Sequence, residues 1–255
     1  MKRGRCPLCT RDGMDLCDSH LISEGIYWRA GEDRVVMTPQ IFVAISNQVK
    51  DYLLCRECEG EFGAAENYIL PLVRQHDASF PLLDKLKASE ALGPTANGSL
   101  VYSGPAVGID IDKFAHFALS MFWRASVHVW KTLNGQPISM PLRSWEEPVR
   151  KYLNGETGFP ASVVLKFTVC TDAESRGMVF APVEWTNDLY TGYDMTVLGV
   201  SFTMVVGVEP GAKNWDLCCV NSRDRLIFAE DCSTASREHY QDLRGGARIA
   251  RSLGR

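Results

Sequence analysis

Tyr52-Leu53-Leu54-Cys55-Arg56-Glu57-Cys58-Glu59 is the stretch on which the reading of this chain turns, together with its counterpart Cys6-Pro7-Leu8-Cys9 near the start. Each Cys-x-x-Cys presents two thiolates from one tight turn, and two such turns make a tetrahedral sulfur cage, the geometry a structural zinc ion prefers. One pair alone is weak evidence. Two pairs, the second set among polar neighbours (Arg56, Glu57, Glu59), are strong evidence against cysteines that merely pack. A compact alternative cage would use Cys6, Cys9, Cys17 and His20, at the price of stranding Cys55 and Cys58.

Downstream of Cys58, the apolar positions Phe62, Ala65, Tyr68, Ile69, Leu72 and Val73 recur three or four residues apart. That spacing predicts an amphipathic helix leaving the second knuckle, the arrangement of a treble-clef zinc module. Nine Lys/Arg against eleven Asp/Glu over residues 1–75 leave this module slightly acidic.

Across all 255 residues, 45% hydrophobic content suffices for a substantial core, and 23% charged residues is ordinary for a folded protein. A net charge of -4 argues against a protein that coats nucleic acid nonspecifically. The opening Met-Lys-Arg-Gly-Arg-Cys-Pro lacks an apolar segment of the secretory kind. With nine cysteines, an odd number, it leads us to expect a reducing cytoplasm and metal binding rather than disulfides. The longest apolar run, Met195 to Val208, is too short to span a bilayer and reads as one buried strand, so no membrane association is expected.

The expected fold class is α+β, a treble-clef zinc module followed by helices and an antiparallel β-sheet. The module occupies 1–75, a connecting segment 76–108 (most linker-like over 88–108), the helical layer and sheet 109–235, and a basic tail 236–255. Asp110 caps a helix predicted from Ile111 to about Trp130, apolar over a broad face and therefore central. Ser144 is a possible N-cap for a shorter helix ending at Asn154-Gly155. From about 160 the period changes to that of strands: Val163–Cys170, Gly177–Trp185, Met195–Val208, Trp215–Val220 and Arg225–Ala229, with a hairpin turn at Asn221–Asp224.

The order of a cysteine knuckle, His20 followed by Leu21-Ile22, a second knuckle and a helix resembles the HNH (ββα-metal) endonuclease superfamily. Ser19-His-Leu-Ile22, Tyr52–Glu59 and Leu119-Ser-Met-Phe-Trp-Arg-Ala-Ser126 more closely resemble a poorly characterised bacterial group. The superfamily resemblance implies a structural zinc on Cys6, Cys9, Cys55 and Cys58. It also implies His20 as the general base that activates water, and a catalytic Mg2+ or Mn2+ held by Glu59 and Asp18. The implied activity is phosphodiester hydrolysis of DNA or RNA, in defence or a mobile element by analogy. The alternative is an inactive zinc module that scaffolds protein or nucleic-acid contacts. The sequence departs from the active pattern at several places. Ser19 stands where an acid directly precedes the histidine, with Asp18 one step back and expected to point away from it unless the backbone bulges. Ser23 replaces a proline, and Lys50 replaces the asparagine that orients the histidine, with Asn47 further upstream.

Glu66 lies two helical turns beyond Glu59, as a further metal ligand or as part of a solvated acidic face with Glu57 and Glu61. Arg124, amid Met121, Phe122, Trp123 and Ala125, needs a partner if buried: a phosphate or substrate, or an acid joining its helix to the zinc module or the sheet. His116 and His128 are too far apart along that helix to share a metal. Cys218 and Cys219, adjacent on an expected strand, would face opposite sides.

Overall fold

The computed structural model describes residues 2–30, 35–38, 41–44, 48–131, 135, 137–212 and 215–234. The basic tail and Asn47 lie outside the described residues. The N-terminal region contains strands β1 (Lys2–Gly4) and β2 (Met14–His20), helix α1 (Glu24–Ala30), strands β3 (Val35–Thr38), β4 (Ile41–Ala44) and β5 (Lys50–Cys55), and helix α2 (Arg56–Ile69). Then come α3 (Pro81–Lys87), β6 (Gly93–Pro94), β7 (Leu100–Ser103), α4 (Gly104–Val107), α5 (Ile111–Val127), the short pair β8 (Trp130–Lys131) and β9 (Pro137–Ile138), and α6 (Glu146–Leu153). Strands β10 (Val163–Cys170), β11 (Val179–Thr186), β12 (Thr191–Val197), β13 (Val200–Val206) and β14 (Leu226–Glu230) follow.

The class is α+β. A three-stranded sheet, β1-β2-β5, carries the cysteine knuckles, and a nine-stranded sheet runs β4-β3-β11-β12-β13-β10-β14-β7-β6. The large sheet is mixed rather than wholly antiparallel, because β14 pairs parallel with β10 and β3 pairs parallel with β11. It also recruits β3 and β4 from within 1–75, and β6 and β7 from the segment expected to connect. Extended stretches too short to read as strands by period found sheet partners far away in sequence.

Two further expectations are corrected. The run from Met195 to Val208 is not one strand: Leu198 and Gly199, both at positive φ (49° and 86°), make a two-residue hairpin turn between β12 and β13. Positive φ at both positions suits the right-handed twist of the flanking strands, and Gly199 adopts it without a Cβ clash. Residues 215–220 form no strand; a 3-10 turn, Trp215–Leu217, leads into Cys218 and Cys219. No hairpin therefore joins them to β14. The two cysteines do bury in opposite directions, Cys219 into the main core and Cys218 into a small cluster with Val164 and Val208.

Helix α5 is the centre of the molecule. Asp110 caps it as expected, accepting from the amides of Asp112 (3.0 Å) and Lys113 (3.3 Å). The shorter helix α6 begins at Glu146 rather than after Ser144, because a 3-10 turn (Arg143–Trp145) intervenes. Twelve of the 17 residues of α5 are buried, as a helix covered on more than one side requires. On the sheet side, Phe114 stacks on Phe167 at 4.3 Å and Phe167 on Phe202 at 5.5 Å. Toward the N-terminal region, Trp123 meets Phe62 of α2 edge-on at 6.2 Å. Burying each such ring contributes on the order of 2–3 kcal/mol.

Candidate metal centre

The first knuckle lies between β1 and β2. The Cys6 amide donates to the Arg11 carbonyl (3.0 Å), and Thr10 takes a positive φ of 59°, so Cys6 and Cys9 turn back on one another. The second knuckle is the junction of β5 and α2. Cys55 ends the strand and occupies the N-cap position, and Cys58 sits in the first turn. Antiparallel pairing of β2 with β5, with Leu16 opposite Cys55, lays one knuckle against the other. The Cys55 amide donates to the Cys6 sulfur at 3.4 Å.

All four Sγ atoms lie within 4.8 Å of one another, and Cys9 and Cys55 are 3.9 Å apart. A tetrahedral zinc site with Zn–S bonds of about 2.3 Å has sulfur–sulfur edges of about 3.8 Å. The donor set and its size therefore fit a zinc ion. Burial pushes the Cys6 thiol up, and burial together with the Cys55 and Cys6 thiols pushes Cys58 well up. Burial, the largest single influence, would raise Cys9, but hydrogen bonds from the Arg11 side chain and backbone, together with those from Cys6 and Cys58, bring that thiol down to about 6. Arg11 is the positioning group of the cage: its Nε donates to Cys9 Sγ (3.3 Å), its Nη2 reaches Cys55 Sγ (3.8 Å), and Glu57 pairs with it from outside. Arg11 and the positive end of α2 offset only part of the charge of four adjacent thiolates; a divalent cation would offset half of it and leave them the smaller remainder. Among the described residues, this is the only convergence of three or more Cys, His, Asp or Glu ligand atoms. The alternative set that includes Cys17 and His20 is not assembled.

His20 ends β2, with its imidazole Nε2 2.7 Å from Gln48 Oε1. Its carbonyl accepts from Arg124 Nη1 at 2.8 Å. Asp18 and His20, two apart, share a face of the strand, and the interruption of register lies before them, between Leu16 and Asp18. The expectation that Asp18 turns away is therefore corrected: Ser19 is the inward residue, fully buried, its Oγ accepting from the Leu54 amide at 3.1 Å. Asp18 is paired with Lys50. Glu59 has one carboxylate oxygen shielded from solvent without a hydrogen-bond partner among the described residues, and its charge helps burial raise the Cys17 thiol. Asp18, His20 and Glu59 do not converge as the cysteines do, so a Mg2+ or Mn2+ ion finds no assembled donor set there.

Arg124 and Glu66 are brought together. Arg124 Nη2 donates to Glu66 Oε1 at 2.7 Å, and Ser23 Oγ donates to Glu66 Oε2 at 2.8 Å. The guanidinium also lies 5.1 Å from the Phe62 ring centre. Glu66 is thus paired with Arg124 rather than part of a solvated acidic face, and among the described residues it joins no cluster of metal-ligating groups; Arg124 ties α5 to the N-terminal region. Three further polar contacts tie the N-terminal region to α6 and to the two ends of α5. Arg150 Nη1 donates to the Leu8 carbonyl within the first knuckle (2.7 Å), while Glu147 and Glu156 grip the same guanidinium. His128 Nε2 meets Asp51 Oδ2 at 3.0 Å, and the Asp110 amide donates to the Tyr68 hydroxyl at 2.8 Å. Sequence reading missed Gln48, Arg11 and Arg150. Arg11, two residues past a cysteine, was the only one of the three with a local signal.

Comparison with family models, with curated proteins and with solved structures returned no match.

Proposed function

We propose that the N-terminal region is a treble-clef, HNH-like module in which zinc is structural and whose task is to scaffold contacts with a protein or nucleic acid. The observation that carries this reading is the commitment of its polar side chains. Asp18 is held by Lys50, Glu66 by Arg124 and Ser23, and the carbonyl of His20 by Arg124, while the four sulfurs alone converge. The surface for contacts is the groove of about 570 Å³ between β2 and the start of α2, where Tyr52 is 39% exposed and Arg56 flanks it. Tyrosine and arginine are the side chains that most often anchor interfaces and stack on unpaired bases.

One observation favours a second reading, in which His20 is the general base of a nuclease. Gln48 orients the imidazole; with its amide oxygen accepting, Nε2 carries the proton and Nδ1 is the basic nitrogen. One experiment separates the two. Zinc-loaded wild type, His20→Ala and Gln48→Ala are incubated with supercoiled plasmid and with RNA, in Mg2+ or Mn2+. The scaffold reading expects no cleavage that depends on His20, and nucleic-acid or protein binding weakened by Tyr52→Ala or Arg56→Ala. Cleavage lost in both His20→Ala and Gln48→Ala would establish the nuclease instead.

A further inference from the structure

The end of the parallel pair β10–β14 brings together two cysteines that neither the cage nor the main core uses. Cys170, the last residue of β10, stands opposite Glu230, the last residue of β14. The contact continues past the strands. The Thr171 amide donates to the Glu230 carbonyl at 2.9 Å, and the Cys232 amide donates to Asp172 Oδ2 at 2.9 Å. Residues 170–172 and 230–232 therefore lie side by side. Val163, Leu165, Phe167 and Val169 of β10 belong to the main core, so Cys170 points to the opposite face of the sheet. There its thiol hydrogen-bonds the Cys232 thiol, and Cys232 Sγ donates in turn to the Glu230 carbonyl at 3.6 Å. Both are free thiols, Cys170 fully buried and Cys232 9% exposed. Cys218 and Cys219, although adjacent in sequence, are packed into separate clusters.

We infer that Cys170 and Cys232 form a redox pair, closed to a disulfide by a hydroperoxide and reopened by a thiol reductant. Buried thiols are ordinarily inert, because no oxidant reaches them. Here Cys232 keeps an exposed margin that admits a molecule as small as hydrogen peroxide, and Cys170 lies directly behind it. The Cys232 sulfur attacks one peroxide oxygen, the O–O bond breaks, and a sulfenic acid and one water form. The Cys170 sulfur then attacks the Cys232 sulfur, the S–O bond breaks, and a second water leaves with the Cys170 proton. Two thiols have then given two electrons and two protons to one peroxide, which becomes two waters. The hydrogen bond to Cys232, together with burial, pushes the Cys170 thiol up, which suits Cys170 to the second step rather than the first. Closure brings the sulfurs to about 2 Å. Cys232 takes up that shift, because it lies beyond the last pair of the β10–β14 ladder. That ladder has only three register pairs, so a covalent tie across its end strengthens the weakest seam of the large sheet.

Peptide mapping by mass spectrometry tests this on the full zinc-loaded chain, treated with hydrogen peroxide and then alkylated. The expected product is a pair of peptides joined through Cys170 and Cys232, which dithiothreitol separates. Oxidation should also raise the melting temperature by about 5–15 °C, because the bond closes a long loop in the unfolded chain. Cys232→Ser should abolish both the cross-link and the rise, whereas Cys17→Ser should keep both. If Cys232→Ser fails to fold, Cys170→Ala supplies the same readout, and the mapping of wild type depends on neither variant. The absence of a Cys170–Cys232 cross-link at millimolar peroxide, a cross-link from either residue to a different cysteine, or an equal rise in Cys232→Ser would each overturn the inference.

Discussion

Around Cys55 the chain has a three-stranded sheet, one amphipathic helix and four sulfurs; around Phe167 it has nine strands and a stack of aromatic rings under a buried helix. The buried side chains of the first region run without a break into the main core, where Phe62 meets Trp123 of α5, and polar clasps add to that contact. The second is closed by side chains that need no cofactor. Small modules commonly add a metal where a core falls short, and metal affinity then becomes folding free energy. The comparison teaches that the two regions should fail separately and for different causes.

The largest effect is expected from removing the cage. Structural zinc contributes an apparent 10–16 kcal/mol or so in isolated zinc-finger peptides. A Cys55→Ser/Cys58→Ser variant should therefore lose hydrogen-exchange protection throughout β2, β5 and α2 while β10 and β13 keep theirs. Uniform loss across both regions would break the distinction. Next come two substitutions of similar size. Phe167→Ala should cost about 3–5 kcal/mol in denaturant unfolding by leaving a void beneath Phe114 and Phe202. Arg124→Met should also cost about 3–5 kcal/mol, because it removes the guanidinium that pairs with Glu66 and leaves that carboxylate only Ser23 as partner. Adding Glu66→Gln to Arg124→Met should recover part of that loss, and Phe167→Ala should show no such rescue.

Arg150→Met removes the donor to the Leu8 carbonyl and both carboxylate pairs, and should cost about 2 kcal/mol. Proteolysis of the first knuckle should quicken with it. The smallest effect concerns His116, wedged between Phe62 and Tyr152 with its Nε2 at the Leu153 carbonyl. Burial depresses its pKa below the ordinary 6.5, against the hydrogen bond to the Leu153 carbonyl and the charge of Glu61, with Lys113 and Arg124 adding to the depression. A depressed folded pKa means the unfolded chain binds the proton more readily. This contribution to stability is present above 6.5 and is lost as pH falls through the folded value. His116→Phe should flatten the stability profile between about pH 5 and 7, and an unchanged slope would remove His116 as its cause.

Much of this contrast was legible in the sequence because it rests on local signals. The cysteine spacing marked the cage, the three-four recurrence from Phe62 to Ile69 marked α2, and Asp110 marked the start of α5. What escaped was non-local or masked by composition. Nothing near Arg150 indicates that it reaches Leu8, and nothing near Gln48 links it to His20 across the strand pair. The apolar run through Val197, Leu198 and Val200 hid a tight turn whose one local mark was Gly199. Residues 35–38 and 41–44 acquire meaning as strands only through β11 at the opposite end of the sequence.

The central claim is that the four cysteines, and not Cys17 with His20, hold a structural zinc ion. Its most direct test is metal content per chain by mass spectrometry of wild type, Cys55→Ser/Cys58→Ser and Cys17→Ser/His20→Ala. The account expects one zinc in wild type and in the Cys17/His20 variant, and none in the Cys55/Cys58 variant. Wild type without zinc, or zinc that stays with Cys55→Ser/Cys58→Ser and leaves with Cys17→Ser/His20→Ala, would contradict it.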